Sequence, residues 1–292
     1  MTPQSHTDRP IRVLLQTTIP STPDDWHIGR FSLLKAHLES LTSPHGRPMY
    51  EVVARDRSSE AHDPVLSTLD ASDFDELWLF AVDTGEGLSD RDGAGINRFR
   101  ARGGGLLTAR DHQDLGCSVC KLDAVGAAHH FHTQNPDVPE RCVADDTSAP
   151  SISWPNYHSG DNGDVQRVTG VGRLHEVLTR VDGSAIREFP AHPHEGAVSA
   201  ANDDPAARVI ATGTSKLTGR RFNLIVALEG GATGRALAHA SFHHFVDYNW
   251  DTSTGCPTFV TDPVGHDLQR APERLADIKA YVANAAKWLA RR

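Results

Sequence analysis

The residues able to do chemistry in this chain are histidines and carboxylates gathered into short clusters. Seventeen histidines occur, and their grouping matters more than their number. AHHFH carries His129, His130 and His132; HPHEG carries His192, His194 and Glu195; SFHHFVDYNWD carries His243, His244, Asp247 and Asp251. Imidazoles and carboxylates act as general acids and bases near neutral pH, and the same groups hold zinc or iron when several converge. A fourth stretch, RGGGLLTARDHQDLG from Arg102 to Gly116, sets Arg110, Asp111 and His112 directly after a short apolar run. A strand running into a helix N-terminus leaves free N–H groups and a positive dipole end facing a crevice, which suits a nucleophile or an anion.

These clusters allow two kinds of centre. In the first, His192, His194 and His244, or His243 in its place, hold a divalent transition metal, zinc or iron. On an extended strand His192 and His194 would point to one side, although Pro193 between them favours a loop. No H-E-x-x-H motif is present, so the ligands would come from separate segments. In the second, metal-free centre, Asp111, His112, His243 and Glu195 are the candidate catalytic residues. Arg110, Glu86, Gly85, Trp154 and Tyr248 would then contact a small polar substrate, with Tyr157 and Trp250 as further aromatic faces. Plainer roles stand beside these: Arg110 and Asp111 can pair or cap a helix start, His112 can face a dipole at the surface, and the aromatics can cover a small core.

The elements that must position these residues follow from periodicity. Residues 11–19 (IRVLLQTTI), YEVVARD and ELWLFAVD are β-rich apolar runs typical of strands covered on both faces. Residues 24–41, with Ile28, Phe31, Leu34 and Leu38 at helical spacing, and residues 89–101 predict helices between them. This alternation argues for a parallel sheet, in which the crevice lies beyond the carboxyl ends of the strands. That rule gathers the DTGEG loop, the Arg110–His112 segment and the end of GRALAHASFHH at one mouth. From Thr133 to Gly163 the chain is rich in Pro, Asp, Asn and Ser, a functional or poorly ordered loop. HEVLTRV, AIREFPAH and ARVIATG read as a small antiparallel set. RRFNLIVALEG and GRALAHASF return to long strands, and residues 271–290 close the chain with a helix whose inner face is Leu275, Ile278, Tyr281, Val282, Ala285 and Leu289.

Residues 107–113, LTARDHQ, resemble the nucleophile elbow of class I glutamine amidotransferases, roughly G-x-C-x-G-H-Q. His112 and Gln113 match its last pair, whereas Ala109 stands at the cysteine and Leu107 and Asp111 at the glycines. VDTGEGLSD is similar to that family's oxyanion-hole loop, and GRALAHASFHHF stands where the family has a strand ending in F-H-P-E. His243 takes the triad histidine position, and Phe245 replaces the glutamate. The trehalose-utilisation (ThuA-like) group of this superfamily also lacks the cysteine, and its late strand is similar. The resemblance covers residues 11–130 and 205–292. It implies an α/β fold with a flavodoxin-like, class I amidotransferase-like parallel sheet, helices on both faces and a loop-rich, partly antiparallel insertion. A single domain over 1–292 with its insertion at 131–205 follows, as do a sugar-like substrate and no glutaminase activity.

Composition sets the remaining bounds. With 292 residues, 38% hydrophobic and 23% charged, the chain can bury a substantial core. A net charge of −9 without a basic face excludes a nucleic-acid partner. No apolar run spans a bilayer, and the polar start MTPQSHTDRP is unlike a signal peptide, so a cytoplasmic location is expected. Four cysteines are too few for a disulfide framework; Cys117 and Cys120, as C-x-x-C in the helix after the elbow, read best as small packing residues. Three functions remain open: a ThuA-like hydrolase, lyase or isomerase, a transition-metal-dependent enzyme, and a non-catalytic binding or assembly subunit, with homo-oligomerisation compatible with each.

Overall fold

The computed structural model describes residues 9–136, 157–200 and 204–290. The first apolar runs form β1 (Ile11–Thr17), β2 (Tyr50–Arg55), β3 (Glu76–Phe80) and β4 (Gly105–Ala109). Every residue of β3 and β4 is buried, as continuous apolar runs require when both faces are covered. Between the strands lie α1 (Ser32–Ser40) and α2 (Asp90–Ala101). α2 begins with a capping box, Ser89 Oγ accepting from the Asp92 N–H while the Asp92 carboxylate accepts from the Ser89 N–H. The same carboxylate takes the Asp63 N–H at 2.7 Å and pairs with Arg57 at 3.2 Å, so the cap also fixes the loop after β2.

Further along come α3 (Asp123–Ala127), β5 (His129–His130), β6 (Val165–Arg167), β7 (Thr169–Gly170), β8 (Glu188–Pro190), β9 (Ala197–Val198), β10 (Ala207–Thr214), β11 (Arg221–Leu228) and β12 (Ala236–His239). Among the described residues the main sheet has eight strands in the order β2-β1-β3-β4-β12-β11-β10-β7. Pairing is parallel from β2 to β12 and antiparallel from β12 through β11 and β10 to β7. The parallel sheet expected from sequence is therefore mixed. Its second half is antiparallel because residues 215–220 and 229–235 are connections too short for a crossover.

Other expectations change in the same way. ARVIATG is not part of a small separate set but is β10 of the main sheet, while AIREFPAH supplies β8, paired with β6 in a two-stranded ribbon. HEVLTRV forms a short 3-10 turn at Glu176–Leu178 rather than a strand. The helix expected directly after the elbow is absent: residues 112–116 turn, and Cys117–Lys121 is a 3-10 segment. Gly116 explains the break, since it sits at φ +83° with its N–H on the Asp83 carbonyl, and a Cβ there would stand 2.6 Å from the Ala81 carbonyl oxygen. The first helix shortens to a 3-10 turn, Ile28–Phe31, running into α1. The closing helix likewise starts late, at Ala276, after a 3-10 turn led by Pro272, and ends at Leu289. It buries Ile278, Tyr281, Val282, Ala285, Trp288 and Leu289, a face worth roughly 1.5–3 kcal/mol per large side chain. Among the described residues no helix is long and apolar enough to cross a membrane.

Candidate functional site

β4 and β12 lie side by side in parallel, with Ala109 opposite His239, so the segments leaving their carboxyl ends run together. The Phe242 N–H donates to the Arg110 carbonyl at 2.7 Å, and the Gly196 N–H to the Ala240 carbonyl at 2.9 Å. Three loops are thereby laced beyond the sheet, carrying Asp111 and His112, His192 and His194, and His243 and His244. Glycine is required at 196 because a Cβ would stand 2.3 Å from the Asp111 carbonyl oxygen and 2.7 Å from Arg110 Nε.

Asp111 is the centre of the group. Its Oδ2 lies 3.2 Å from His243 Nε2, and its Oδ1 lies 3.2 Å from His112 Nδ1 and 3.9 Å from His192 Nε2. His192 stacks on His243 with ring centroids 3.3 Å apart, and Trp26 meets the His243 ring edge-on at 4.9 Å. His243 has an assigned tautomer. Asn249 Oδ1 accepts the Gly163 N–H at 3.0 Å, which turns its amide nitrogen toward His243 Nδ1, 3.4 Å away; His243 therefore carries its proton on Nε2 and donates to Asp111. His192 Nδ1 donates to Asn162 Oδ1 at 2.9 Å, which leaves the His192 Nε2 lone pair facing Asp111. Asp111, His192, His194 and His243 are buried, whereas the His112 side chain keeps 18% of its surface. His194 Nε2 meets Asp262 at 3.5 Å, and His112 and Asp262 are the partly exposed members of the group.

Burial alone would push the Asp111 carboxyl up; the imidazoles of His112 and His243 more than offset that and hold it well below the usual carboxylate range. His243 is pushed down by burial, against the pull of Asp111, and is neutral. For His112 the neighbouring carboxylate outweighs burial, and its pKa rises. The result is an ionised carboxylate, desolvated and flanked by imidazoles, a set that can move protons or hold a cation.

The remaining candidates stand apart from this centre. Glu195 is fully buried with Oε1 3.4 Å from His244 Nε2, and burial pushes its carboxyl well up while His244 falls to about 4. His244 Nδ1 donates to the Pro190 carbonyl at 2.8 Å, so both its nitrogens are engaged away from Asp111. Arg110 is buried with its guanidinium over Phe131 at 3.9 Å, donating to the carbonyls of His130, Gln113 and Ala197; burial pulls it down to about 10. It ties the elbow to the ribbon formed by β5 and β9. Gly85 lies in the loop after β3, where its N–H binds Asp83, and Glu86 is exposed beside it. Tyr248 is buried, its phenol raised first by burial and then by Cys256, and Trp154 lies outside the described residues. His129 and His130 do not join the centre but bond to Thr108 and Ser199. Cys117 and Cys120 are free thiols, Cys120 pushed up to about 11 by burial, which removes thiolate character.

Asn162, Asn249, Asp262 and Trp26 were not singled out from sequence. Asn249 lies within SFHHFVDYNWD, six positions after His243; the others carry no local signal, because their contacts to the centre are long-range.

No family model matches the chain, and no curated protein sequence does. Among solved structures it is similar to a ThuA-like protein of Parabacteroides merdae at 15% identity, with a TM-score of 0.56 over 97% of this chain and 90% of that one. A ThuA-like protein of Bacteroides uniformis gives 10% identity and a TM-score of 0.46 over 98% and 94% of the two chains. The glutaminase domain of Trypanosoma brucei CTPS, solved with bound acivicin, gives 14% and 0.46 over 94% of each. The fold is that of the ThuA-like protein of Parabacteroides merdae.

Proposed function

We propose that this chain is a cytoplasmic enzyme of carbohydrate metabolism, a hydrolase, lyase or isomerase acting on a small polar, sugar-like substrate by histidine–carboxylate chemistry. The observation that supports it is Asp111, buried, bonded through Oδ2 to His243 and facing the partly exposed His112 through Oδ1. A carboxylate so placed orients one imidazole and raises the proton affinity of the other, the pattern of acid–base sites. Amide hydrolysis through a thioester is not available, because Ala109 ends β4 where the amidotransferase resemblance requires a cysteine. A transition-metal-dependent form of the same centre, with zinc or iron, is favoured by one observation: donor atoms of Asp111, His112 and His192 lie within 4.8 Å of one another.

The test is turnover of a panel of glycosides, lactones and keto sugars by the parent protein, followed by His243→Gln and Asp111→Asn. Loss of about 10²–10⁴-fold in kcat in both variants is expected. Parental kcat/KM in His243→Gln would overturn the assignment, and ligand binding without turnover in the parent would favour a binding subunit.

A further inference from the structure

We propose that Asp111 Oδ1, His112 Nδ1 and His192 Nε2 form a binding site for one divalent transition metal, with Asp111 Oδ2 left to His243. This rests on the reading that these residues make up one centre, and it replaces the metal-ligand set read from sequence.

Spacing comes first. Metal–ligand bonds of about 2.0–2.2 Å in tetrahedral geometry put donor atoms roughly 3.4 Å apart. Asp111 Oδ1 stands 3.2 Å from His112 Nδ1 and 3.9 Å from His192 Nε2. Unmet bonding comes second. Asp111 Oδ1 and His112 Nδ1 are buried and face each other at 3.2 Å without making a hydrogen bond, and a cation held between them would satisfy both lone pairs. Support from behind comes third. Asn162 holds His192 by Nδ1 at 2.9 Å and His243 holds Asp111 by Oδ2 at 3.2 Å, and such outer partners orient ligating imidazoles and carboxylates. Two imidazoles and one carboxylate suit zinc or ferrous iron over magnesium or calcium. Among the described residues the converging donor set is Asp111, His112 and His192; His194 Nε2 lies against Asp262 and His244 Nε2 against Glu195, outside it.

Chelator-stripped protein is titrated with Zn²⁺ alone, and with Fe²⁺ under anaerobic conditions, by calorimetry with elemental analysis of the product. About one equivalent per chain and a raised Tm are expected. Asn162→Ala weakens binding roughly 10–100-fold, as loss of an outer partner does, and Asp111→Asn and His192→Gln weaken it further. His244→Gln binds as the parent does. With Co²⁺ in place of Zn²⁺, the visible spectrum of His192→Gln changes while its circular dichroism does not. Less than about a tenth of an equivalent bound, or parental affinity in both Asp111→Asn and His192→Gln, overturns the site. A fully loaded protein whose His243→Gln variant keeps its turnover would instead sink the acid–base reading and leave the metal site standing.

Discussion

At the scale of single residues, two carboxyl groups a short way apart are pushed in opposite directions. Asp111 sits among imidazoles that hold its carboxyl well below the usual carboxylate range; Glu195 sits beside the neutral His244, and burial pushes its carboxyl well up. The His244 tautomer agrees with this. Its Nδ1–H is donated to Pro190, so the Nε2 lone pair faces Glu195 Oε1 at 3.4 Å without a formed hydrogen bond, and a protonated carboxyl is the group that can turn to donate to it. Glu195→Gln should therefore cost less than about 1 kcal/mol of unfolding free energy, whereas Glu195→Ala, which opens a void beside His244 Nε2, should cost about 2–4 kcal/mol. Urea unfolding at pH 6 measures both. Equal losses in the two variants would mean that Glu195 donates no hydrogen bond there.

At the scale of elements, the centre depends on loops fastened to one another more than on any strand. Asp247, which lies in the same segment as His243, takes no part in the chemistry. Its carboxylate accepts the N–H groups of Ser32 and Leu33 at 2.9 and 2.8 Å and the Ser32 hydroxyl at 2.6 Å, capping α1 from a distant part of the chain. A negative group at a helix N-terminus both satisfies free donors and meets the dipole. Asp247→Ala should cost about 1–2 kcal/mol and lower Tm by a few degrees, with faster amide exchange confined to α1 and its neighbours. Unchanged exchange at Ser32 and Leu33 would contradict the cap.

For the whole molecule, buried titratable groups set the dependence of stability on pH. His129, His239 and His244 are held neutral by burial, with depressed folded-state pKa values. Their contribution is present above the unfolded value near 6.5 and is lost as pH falls toward the folded one, because the unfolded chain takes up protons that the native state refuses. Glu76 and Glu195 have raised values, also from burial. Their contribution is complete below about 4.5 and is lost as pH rises through the folded values. The two sets oppose each other between pH 4.5 and 6.5, so the urea midpoint should peak near pH 6 and fall on both sides, by up to about 1.4 kcal/mol per pH unit per group. Glu76→Gln and Glu195→Gln should flatten the alkaline limb and leave the acid limb intact. An alkaline limb of parental slope in both variants would refute the assignment.

Sequence alone determined the strands β1 to β4, the helix α2, the missing thiol at Ala109 and the meeting of Asp111, His112 and His243, because each follows from local periodicity or from where parallel strands end. Tertiary structure decided the rest. It brought His192 and His194 to that mouth through the close approach at Gly196, turned His244 inward to Glu195, and held His129 and His130 on a ribbon beneath. It also made half the sheet antiparallel. The residues of an element specify its period, but the side of a loop on which an imidazole comes to rest is set by packing and hydrogen-bond partners far away in the chain, such as Asn162 for His192 and Asp262 for His194.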